Sequence, residues 1–446
     1  MNFADQPSLD CLGCDGPEPE VGNYFVSAYP PFSSWNKDQL EAAERAVHTQ
    51  RCLPAEVPLG LYVHIPFCAE RCHYCYYRSY AKTSVAQIDQ YLEAILSELA
   101  QYASAPSILG RNLDFVYFGG GTPSLLSATQ IRRLLSGIQE LFPKSSPREI
   151  TFECGPKSVT ADRLDVLHDA GVTRLSMGVQ QLDDEVLSKS GRVHRVADVE
   201  RAWSVIETAG FPVTNLDLMV GLVGETDPSF FGSLRRVMHM APTSITIYLL
   251  EIPRNTPLFH NLPTLEAAPA AWDVKRDRLA AAFQELEQHG YLVRSAYAAV
   301  RDAKAGRFIY QEAQYHGADL VGVGVASFSY LHGVHFQNHV SIERYLQSLQ
   351  SGESPRARAY ALTREEQAVR EFVLQLKLGD VSRADFETKF GVILEQYFAR
   401  PLEECAQRGW LTIDQTGVRL SRTGLLRVDR LLPAFYLPQH RECLYW

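Results

Sequence analysis

The sequence predicts an α/β protein: a partial barrel of six β/α units followed by a C-terminal winged-helix-like domain. Between residues 59 and 253, six strand-like segments alternate with helix-like segments, and such crossovers give parallel strands with the helices outside. The alternation covers about 190 residues, short of the roughly 250 that a complete eight-unit barrel needs. After residue 356 the pattern changes to short helices and a two-stranded wing.

The elements of the barrel follow from hydrophobic periodicity and from helix boundary signals. Ser127 precedes an amphipathic segment as an N-cap does, and Gly171 follows another as a C-terminal glycine does. The predicted strands are LGLYVHIPF (59–67), LDFVYFGGG (113–121), REITFECGP (148–156), VTRLSMGVQ (172–180), VTNLDLMVGL (213–222) and TSITIYLLEIP (243–253). The helices between them are predicted at 84–103, 127–142, 160–171, 196–210 and 227–241. A doubly wound sheet is the alternative, although GxGxxG is absent.

The rest of the chain divides into a closing segment and a C-terminal domain. A long helix is expected at 272–290, and the glycine-interrupted ADLVGVGVASFSYLHG (318–333) is expected to be a strand near the site. Short helices then precede the wing WLTIDQTGVRLS and a closing helix. The predicted units are a partly disordered N-terminal extension, a core barrel with its closing segment, and a winged-helix-like domain, at 1–50, 51–355 and 356–446.

Composition and charge restrict the classes of function. The chain has 446 residues, 46% of them hydrophobic, which suits a globular protein with a large core. The net charge of −9 disfavours a nucleic-acid surface, and the wing offers only Arg419 as a cation, so no nucleic-acid partner is expected. The sequence has neither a long apolar run nor a secretory signal, which predicts no transmembrane segment and a cytoplasmic location.

The densest chemical signal is HIPFCAERCHYCYY (64–77), which places Cys68, Cys72 and Cys75 in one predicted loop. A disulfide framework is disfavoured, because 9 cysteines in 446 residues are far below the density of a stapled scaffold. Four thiolates normally hold a four-iron cluster, so three would leave one iron open to a substrate or cofactor. The spacing therefore favours an iron–sulfur cluster.

Two other interpretations of the cysteines stay open. Structural zinc needs four ligands, and His64 or His73 could supply the fourth; the cysteines could also be buried without a metal. A second pair, Cys11 and Cys14, lies among Pro, Gly and acidic residues and is interpreted as incidental thiols in a polar tail.

Polar groups and glycines follow strand after strand of the predicted barrel. In a parallel barrel the carboxyl ends of the strands meet at one mouth, where functional groups gather. The first strand leads into the cysteine loop, and the others end at or carry Gly119–Thr122, Glu153, Gln180, Asp217 and Glu251. Each could have a purely structural role when taken singly, but their shared level predicts one site.

Several motifs together carry a resemblance to a known family. They are YVHIPFCAERCHYC, FVYFGGGTPS, ITFECGP, RLSMGVQQLDDEVLSKSGRVH, NLDLMVGL, VGVGV and GLLRVDRLL. From about residue 24 onward the chain resembles radical S-adenosylmethionine (SAM) enzymes of the oxygen-independent coproporphyrinogen III oxidase-like (HemN-like) family. The resemblance implies a radical SAM barrel with a HemN C-terminal domain.

The resemblance also implies the cofactors and the residues that hold them. A [4Fe-4S] cluster is expected on the three loop cysteines, with SAM on its open iron, and an electron would split SAM to a 5′-deoxyadenosyl radical. An electron donor such as flavodoxin or ferredoxin is a further implied partner. Besides Cys68, Cys72 and Cys75, the implied site residues are Tyr62, which is also assigned to catalysis, and Tyr74, Gly120, Gly121, Thr122, Glu153, Gln180, Arg192 and Asp217.

Two departures affect the expected reaction. The family oxidase continues its motif to a further cysteine where this chain has Tyr77, and its motif after the sixth strand is replaced by Leu250 and Glu251. Both lie near the expected substrate region, so the sequence slightly favours methyl or methylene transfer from a second SAM. The glycines of VGVGV, Gly322 and Gly324, are expected to approach that second SAM.

The expected substrate is a tetrapyrrole, a quinone or another unsaturated small molecule. The alternatives to methylene transfer are oxidative decarboxylation of coproporphyrinogen III and a haem chaperone function. The stretch YFVSAYPPFSSW (24–35) is a feature of the catalytic porphyrin enzymes and not of the shorter chaperones, which favours catalysis.

Overall fold

A computed structural model describes residues 28–50, 57–265, 267–304 and 306–441. The strands are β1 Leu59–Ile65, β2 Phe67–Cys68, β3 Tyr80–Ala81, β4 Leu113–Gly120, β5 Glu149–Cys154, β6 Arg174–Gln180, β7 Val213–Val220, β8 Ser244–Leu249, β9 Leu292–Val293, β10 Ala298–Val300, β11 Asp319–Val323, β12 Phe328–Leu331, β13 Val334–Asn338, β14 Arg356–Ala361, β15 Asp380–Ser382, β16 Leu411–Ile413 and β17 Gly417–Leu420.

The helices surround these strands. They are α1 Leu40–His48, α2 Val85–Ser104, α3 Ala128–Leu141, α4 Ala161–Asp169, α5 Asp184–Lys189, α6 Val196–Ala209, α7 Asp227–Met240, α8 Pro257–Asn261, α9 Trp272–Gln288, α10 Ile309–Tyr315, α11 Ile342–Gln350, α12 Arg364–Leu376, α13 Arg383–Phe390, α14 Leu394–Tyr397, α15 Ala399–Gln407, α16 Arg422–Leu425 and α17 Val428–Leu431.

The predicted α/β fold class is confirmed by one large sheet. Its strand order is β14-β13-β12-β11-β1-β4-β5-β6-β7-β8-β10-β9. The six predicted strands β1, β4, β5, β6, β7 and β8 run parallel, and β11 adds a seventh parallel strand beside β1. Side chains from strands across the sheet line one cavity, from Tyr62 on β1 to Thr246 on β8. The sheet therefore curls into a partial barrel.

Helix boundaries follow the expected local chemistry. Ser127 caps α3 in a capping box, and the same motif begins α2 at Ser84 and α7 at Thr226. Gly171 has φ +77° just after α4, a conformation that glycine adopts without steric cost. These signals set the lengths of the crossovers and so the positions where the strands end.

The single strand expected at 318–333 is wrong. The segment forms the two antiparallel strands β11 and β12, which are joined by a turn with φ +100° at Gly324 and +58° at Ala326. Two left-handed residues so close together reverse the chain, which the apolar pattern did not indicate. The expected closing helix is also interrupted, because α16 and α17 give way to a 3₁₀ turn at Leu432–Phe435.

The C-terminal part has a small sheet of its own, in the order β15-β17-β16, with α12–α17 around it. The strand β14, which begins the domain expected at 356–446, pairs instead with β13 in the large sheet. We therefore propose that the C-terminal unit begins after β14, at the cap of α12 (Thr363).

The N-terminal extension expected at 1–50 is described from residue 28 onward. There α1 packs against β13 and β14, and Asn36 bridges to Ala359. The predicted disorder and the pair Cys11 and Cys14 lie outside the described residues. Within the described ranges, no helix combines the length and apolar character needed to cross a bilayer.

Candidate active site

The cysteine loop leaves β2 at Cys68 and is held by its neighbours in sequence and in space. The backbone N–H of His73 donates to Ser190 O at 3.1 Å, and the Nδ1 atom of its ring lies 3.3 Å from Lys189 O. From the other side, Leu258 N donates to His73 O at 2.8 Å. Arg71 closes the loop by donating to Cys75 O at 2.9 Å. The end of α5 and the start of α8 thus fix the loop.

The glycine run after β4 lies directly against this loop. Gly121 N donates to Ile65 O and Thr122 N to Phe67 O, each at 2.8 Å, while Thr122 Oγ1 lies 3.7 Å from Cys68 Sγ. A Cβ at position 121 would come 2.7 Å from Phe67 O and 3.0 Å from Cys68 Sγ. Only glycine lets the two segments approach so closely.

Arg192 connects the end of β6 to the cysteines. Its Nη2 donates to Gly178 O at 2.6 Å, and its Nη1 lies 3.3 Å from Cys72 Sγ. Burial lowers the pKa of Arg192, but the neighbouring Tyr74 and Cys72 outweigh that effect and raise it overall. The guanidinium therefore stays charged and provides a fixed cation beside the thiols.

Two carboxyl groups lie further along the strand ends. Glu153 accepts from Tyr117 Oη at 2.5 Å and from Gly120 N at 3.2 Å. Asp217 accepts from Asn215 Nδ2 at 2.7 Å. Burial raises the pKa of each carboxyl to about 7, and the Glu153 charge adds to the effect on Asp217. Both groups can therefore accept or hold a proton near neutral pH.

Tyr62 and Tyr74 occupy different walls. Tyr62, on β1, stacks on Tyr117 with ring centroids 5.9 Å apart, and its hydroxyl lies 3.0 Å from His64 Nδ1. Tyr74 packs in the cysteine loop against apolar residues that include Leu222 and Leu250. Burial raises the pKa of both phenols, so both remain neutral hydrogen-bonding groups.

The residues expected from the sequence to hold the cluster and the first SAM all line one cavity of about 540 Å³. Most of the aromatic side chains in the cavity walls were not expected from the sequence as site residues. These are Phe32, Trp35, Tyr76, Tyr117, Tyr248, Tyr297, Phe308, Tyr310, Tyr315, Phe328 and Tyr330. It also missed two buried cations from the C-terminal unit, Arg370 and Lys377. Alternating inward positions on the strands could have indicated some of the aromatic residues, but nothing local marks the two cations.

Gly322 and Gly324 do not line the cavity. A Cβ at position 322 would lie 2.1 Å from Phe328 O, and one at 324 would lie 2.5 Å from Tyr91 Oη. These glycines therefore allow β11 to pack against β12 and α2. The expectation that they approach a second SAM is wrong.

The arrangement of the donors fits a cluster better than zinc. His64 contacts Tyr62 and Arg78 O, and His73 contacts Lys189 O. In the described part of the chain, no three His, Cys, Asp or Glu side chains gather around a single ion-sized position. A cubane binds each thiolate through a different iron, so it does not need the three thiols of the loop to converge on one position.

Orphaned polar atoms support the fit of a polar cofactor. Among the described residues, Gln180 Oε1 and Arg192 Nε are buried without a hydrogen-bond partner. Gln180 also has φ +66°, a costly conformation for a side chain other than glycine. Unpaired buried polar groups are rare unless a ligand pairs them. Both residues line the cavity beside the cysteines.

Two family models and several known proteins match this chain. The Radical SAM superfamily model matches residues 62–237, and the HemN C-terminal domain model matches residues 362–427. The chain is 30% identical to the oxygen-independent coproporphyrinogen III oxidase of Escherichia coli, over 94% of each protein. It is 29% identical to the heme chaperone HemW of Bacillus subtilis, over 84% of this chain and 98% of that protein.

A solved structure is similar over nearly the whole chain. The structure of coproporphyrinogen III oxidase (HemN) from Escherichia coli, described as a radical SAM enzyme, matches with a TM-score of 0.79 and 27% identity. The match covers 92% of this chain and 96% of that one. The likeness therefore extends through both the barrel and the C-terminal unit.

Proposed function

Since this chain belongs to the radical SAM family of oxygen-independent coproporphyrinogen III oxidases and their relatives, we propose that it removes hydrogen from a tetrapyrrole substrate. The observation that carries the proposal is the position of the three-cysteine loop on a cavity of about 540 Å³ with aromatic walls. A flat conjugated or partly conjugated ring suits such walls, because aromatic side chains stack against its faces.

Cys68, Cys72 and Cys75 are proposed to hold the [4Fe-4S] cluster. The family implies this cluster and SAM, which together supply a 5′-deoxyadenosyl radical. Thr122 Oγ1 near Cys68 Sγ and Arg192 Nη1 near Cys72 Sγ can donate to the thiolates. Donors to cluster sulfurs help to set its potential. Glu70 and Arg71 line the cavity and are also exposed to solvent, so we propose that an electron donor such as flavodoxin or ferredoxin approaches the loop at these residues.

The remaining strand-end groups are proposed to bind SAM. Gly120, Gly121 and Thr122 offer a close backbone approach beside Cys68, and the half-buried Arg192 offers a cation that can pair a carboxylate. Gln180 and Asp217 provide acceptors, and so does Glu153, for amino or hydroxyl protons of SAM. The partly buried Tyr62 and the buried Tyr74 supply ring surface that helps to exclude water from the reacting centre.

The relatives named as coproporphyrinogen oxidases favour hydrogen abstraction from the substrate itself. The relatives similar over 84% or more of this chain are named as coproporphyrinogen oxidases or a haem chaperone. The segment of the N-terminal extension that includes Phe32 and Trp35 closes part of the cavity wall. That wall supports a catalytic role over transport alone, because it shields the substrate from solvent.

Methylene transfer from a second SAM is a second candidate, and Tyr77 is the observation that favours it. This residue stands where the oxidase motif has a further cysteine, and its ring stacks on Tyr76 with centroids 4.5 Å apart. Both rings line the cavity. The tyrosine pair makes the cavity wall next to Cys75 different from the wall that the oxidase motif would form. We propose that this wall accommodates a co-substrate that the oxidase does not use there.

Product analysis separates these reactions. The reconstituted protein is incubated without oxygen with reductant, SAM and either coproporphyrinogen III or haem. Hydrogen abstraction predicts 5′-deoxyadenosine without S-adenosylhomocysteine, together with loss of substrate hydrogen or carboxyl groups. Equal amounts of both nucleoside products would support methylene transfer instead. Tight haem binding with no nucleoside product would indicate a chaperone, and Cys68→Ala provides the inactive control.

A further inference from the structure

Helix α12 closes the open side of the partial barrel. The backbone N–H of Ala296, next to the β9–β10 hairpin, donates to Lys377 O at 3.0 Å. The guanidinium of Arg370 lies 3.9 Å from the ring centroid of Tyr330 on β12. One helix of the C-terminal unit therefore touches both ends of the large sheet and contributes side chains to the cavity between them.

In the part of the chain that the structure describes, Arg370 is a buried cation without an acidic partner. It is 2% exposed, and its Nη1 donates to Gln314 O at 3.2 Å. Its Nε has no hydrogen-bond partner among the described residues, and the adjacent Glu371 pairs with Lys389 instead. Taking a charge out of water is unfavourable unless an opposite charge and hydrogen bonds compensate it. The tyrosine face compensates only in part, which leaves room for an anion from the cavity.

Lys377 follows the last residue of α12 and lines the same cavity. It is 2% exposed, and its Nζ lies 4.9 Å from the ring centroid of Tyr297. Burial lowers the pKa of Lys377 to about 7, an effect that the Glu251 carboxylate opposes. An added anion in the cavity would raise this pKa again and so favour the charged ammonium.

We propose that Arg370 and Lys377 bind carboxylate groups on the acidic side chains of the substrate. The inference rests on the proposed function, because it assigns the site to a tetrapyrrole with carboxylate side chains. SAM also carries a carboxylate, so the test must distinguish the two sources. The geometry favours the substrate, since both cations come from α12 and its C-terminal end, whereas Arg192 already serves the cysteine end of the cavity.

The test uses two ligands that share a ring and differ in charge: coproporphyrin III and its tetramethyl ester. Binding to the reconstituted protein is followed by the change in porphyrin absorbance. Arg370→Met and Lys377→Met should each weaken coproporphyrin binding about 10-fold or more, the usual effect of losing a hydrogen bond to a charged group. Neither change should alter binding of the ester. Arg364→Met, an exposed change on the same helix, is the matched control.

Two further measurements separate a lost carboxylate contact from a lost fold or a lost SAM site. Cluster absorbance and melting temperature show whether a variant has kept its fold. Equilibrium dialysis should show unchanged SAM binding in both variants; loss of bound SAM with intact porphyrin binding would overturn the assignment to substrate. Equal weakening of both porphyrins, or of neither, would overturn the carboxylate site and leave the proposed function standing. If the unaltered protein binds neither porphyrin, both proposals fail.

Discussion

Gly121 sets how closely the glycine run approaches the cysteine loop. In Gly121→Ala the added methyl group would meet Phe67 O and Cys68 Sγ at 2.7 and 3.0 Å, and one contact is backbone that cannot yield easily. Overpacking of this kind costs about 1–3 kcal/mol, and here the strain falls on a cluster ligand. We therefore expect lower iron content after reconstitution and weaker SAM cleavage.

A glycine with free space around it provides the control. Gly232 lies in α7, and a Cβ added there would have no heavy atom within 4 Å, so Gly232→Ala should leave iron content and activity unchanged. Normal iron content in Gly121→Ala, measured per protein chain, would show that the close approach is not needed for cluster binding.

Glu98 is a buried carboxyl group that lies away from the cysteines. Protonation of Glu98 couples folding to pH. It accepts hydrogen bonds from Tyr345 Oη at 2.6 Å, Gly324 N at 2.8 Å and Asn338 Nδ2 at 2.7 Å. Burial nevertheless raises the pKa of Glu98 from 4.5 to about 7. The folded carboxyl keeps its proton to higher pH than the unfolded one, so its contribution to stability falls as pH rises from about 4.5 through about 7.

The expected result is a smaller pH dependence of stability in Glu98→Gln. Between pH 5 and pH 8 the melting temperature of this variant should fall less than that of the unaltered protein, because the titrating group is gone. Glu93→Gln, on the exposed face of the same helix α2, should retain the original dependence. Parallel curves for the Glu98 variant and the unaltered protein would assign the pH dependence to other carboxyl groups.

At the scale of secondary-structure elements, the C-terminal end of α5 contacts the cysteine loop. We expect this contact to slow the loss of iron from the proposed cluster. His73 is not a ligand in the proposed site, yet its backbone and ring both contact this turn, and a Cβ at Gly191 would lie 2.5 Å from the His73 ring. His73→Ala should therefore speed iron loss to a chelator about 10-fold without abolishing cluster assembly, as losses of supporting contacts commonly do. His168→Ala, an exposed change on α4, should not.

The same elements show what the sequence could predict and what it could not. The ends of the strands were predictable because strand-like and helix-like segments alternate along the sequence. Parallel strands then bring Glu153, Gln180 and Asp217 to one mouth of the barrel. Arg370 and Lys377 were not predictable, because they belong to a helix whose amphipathic pattern says only that one face is buried. The role of Gly322 was misjudged because its need for space comes from Phe328 on a neighbouring strand, not from a ligand.

Across the whole molecule, the C-terminal unit and the barrel share one hydrophobic core. Residues of α12 such as Phe372 and Leu376 belong to the same buried cluster as Leu61 and Val63 of β1. A bidentate ion pair adds to this contact: Arg276 on α9 donates to the two carboxylate oxygens of Asp429 on α17 at 2.8 and 2.9 Å. Both side chains are almost fully buried, at 4% and 2% exposed.

This shared core predicts that the two parts unfold together. Asp429→Asn leaves the Arg276 charge buried without its partner, which typically costs about 3–5 kcal/mol. Denaturant unfolding should therefore shift to lower concentration in the variant, by the same amount for cluster absorbance as for Trp410 fluorescence. The signal of Trp410, which lies in the C-terminal unit, is obtained by subtracting a Trp410→Phe background.

Glu285→Gln is the control, because it breaks an ion pair on the same helix α9 in which Arg235 is 64% exposed. Exposed pairs contribute about 0–1 kcal/mol, so this variant should shift the unfolding curve little. A shift in the Trp410 signal alone would mean that the C-terminal unit unfolds independently, and α12 could then leave the barrel without disrupting it.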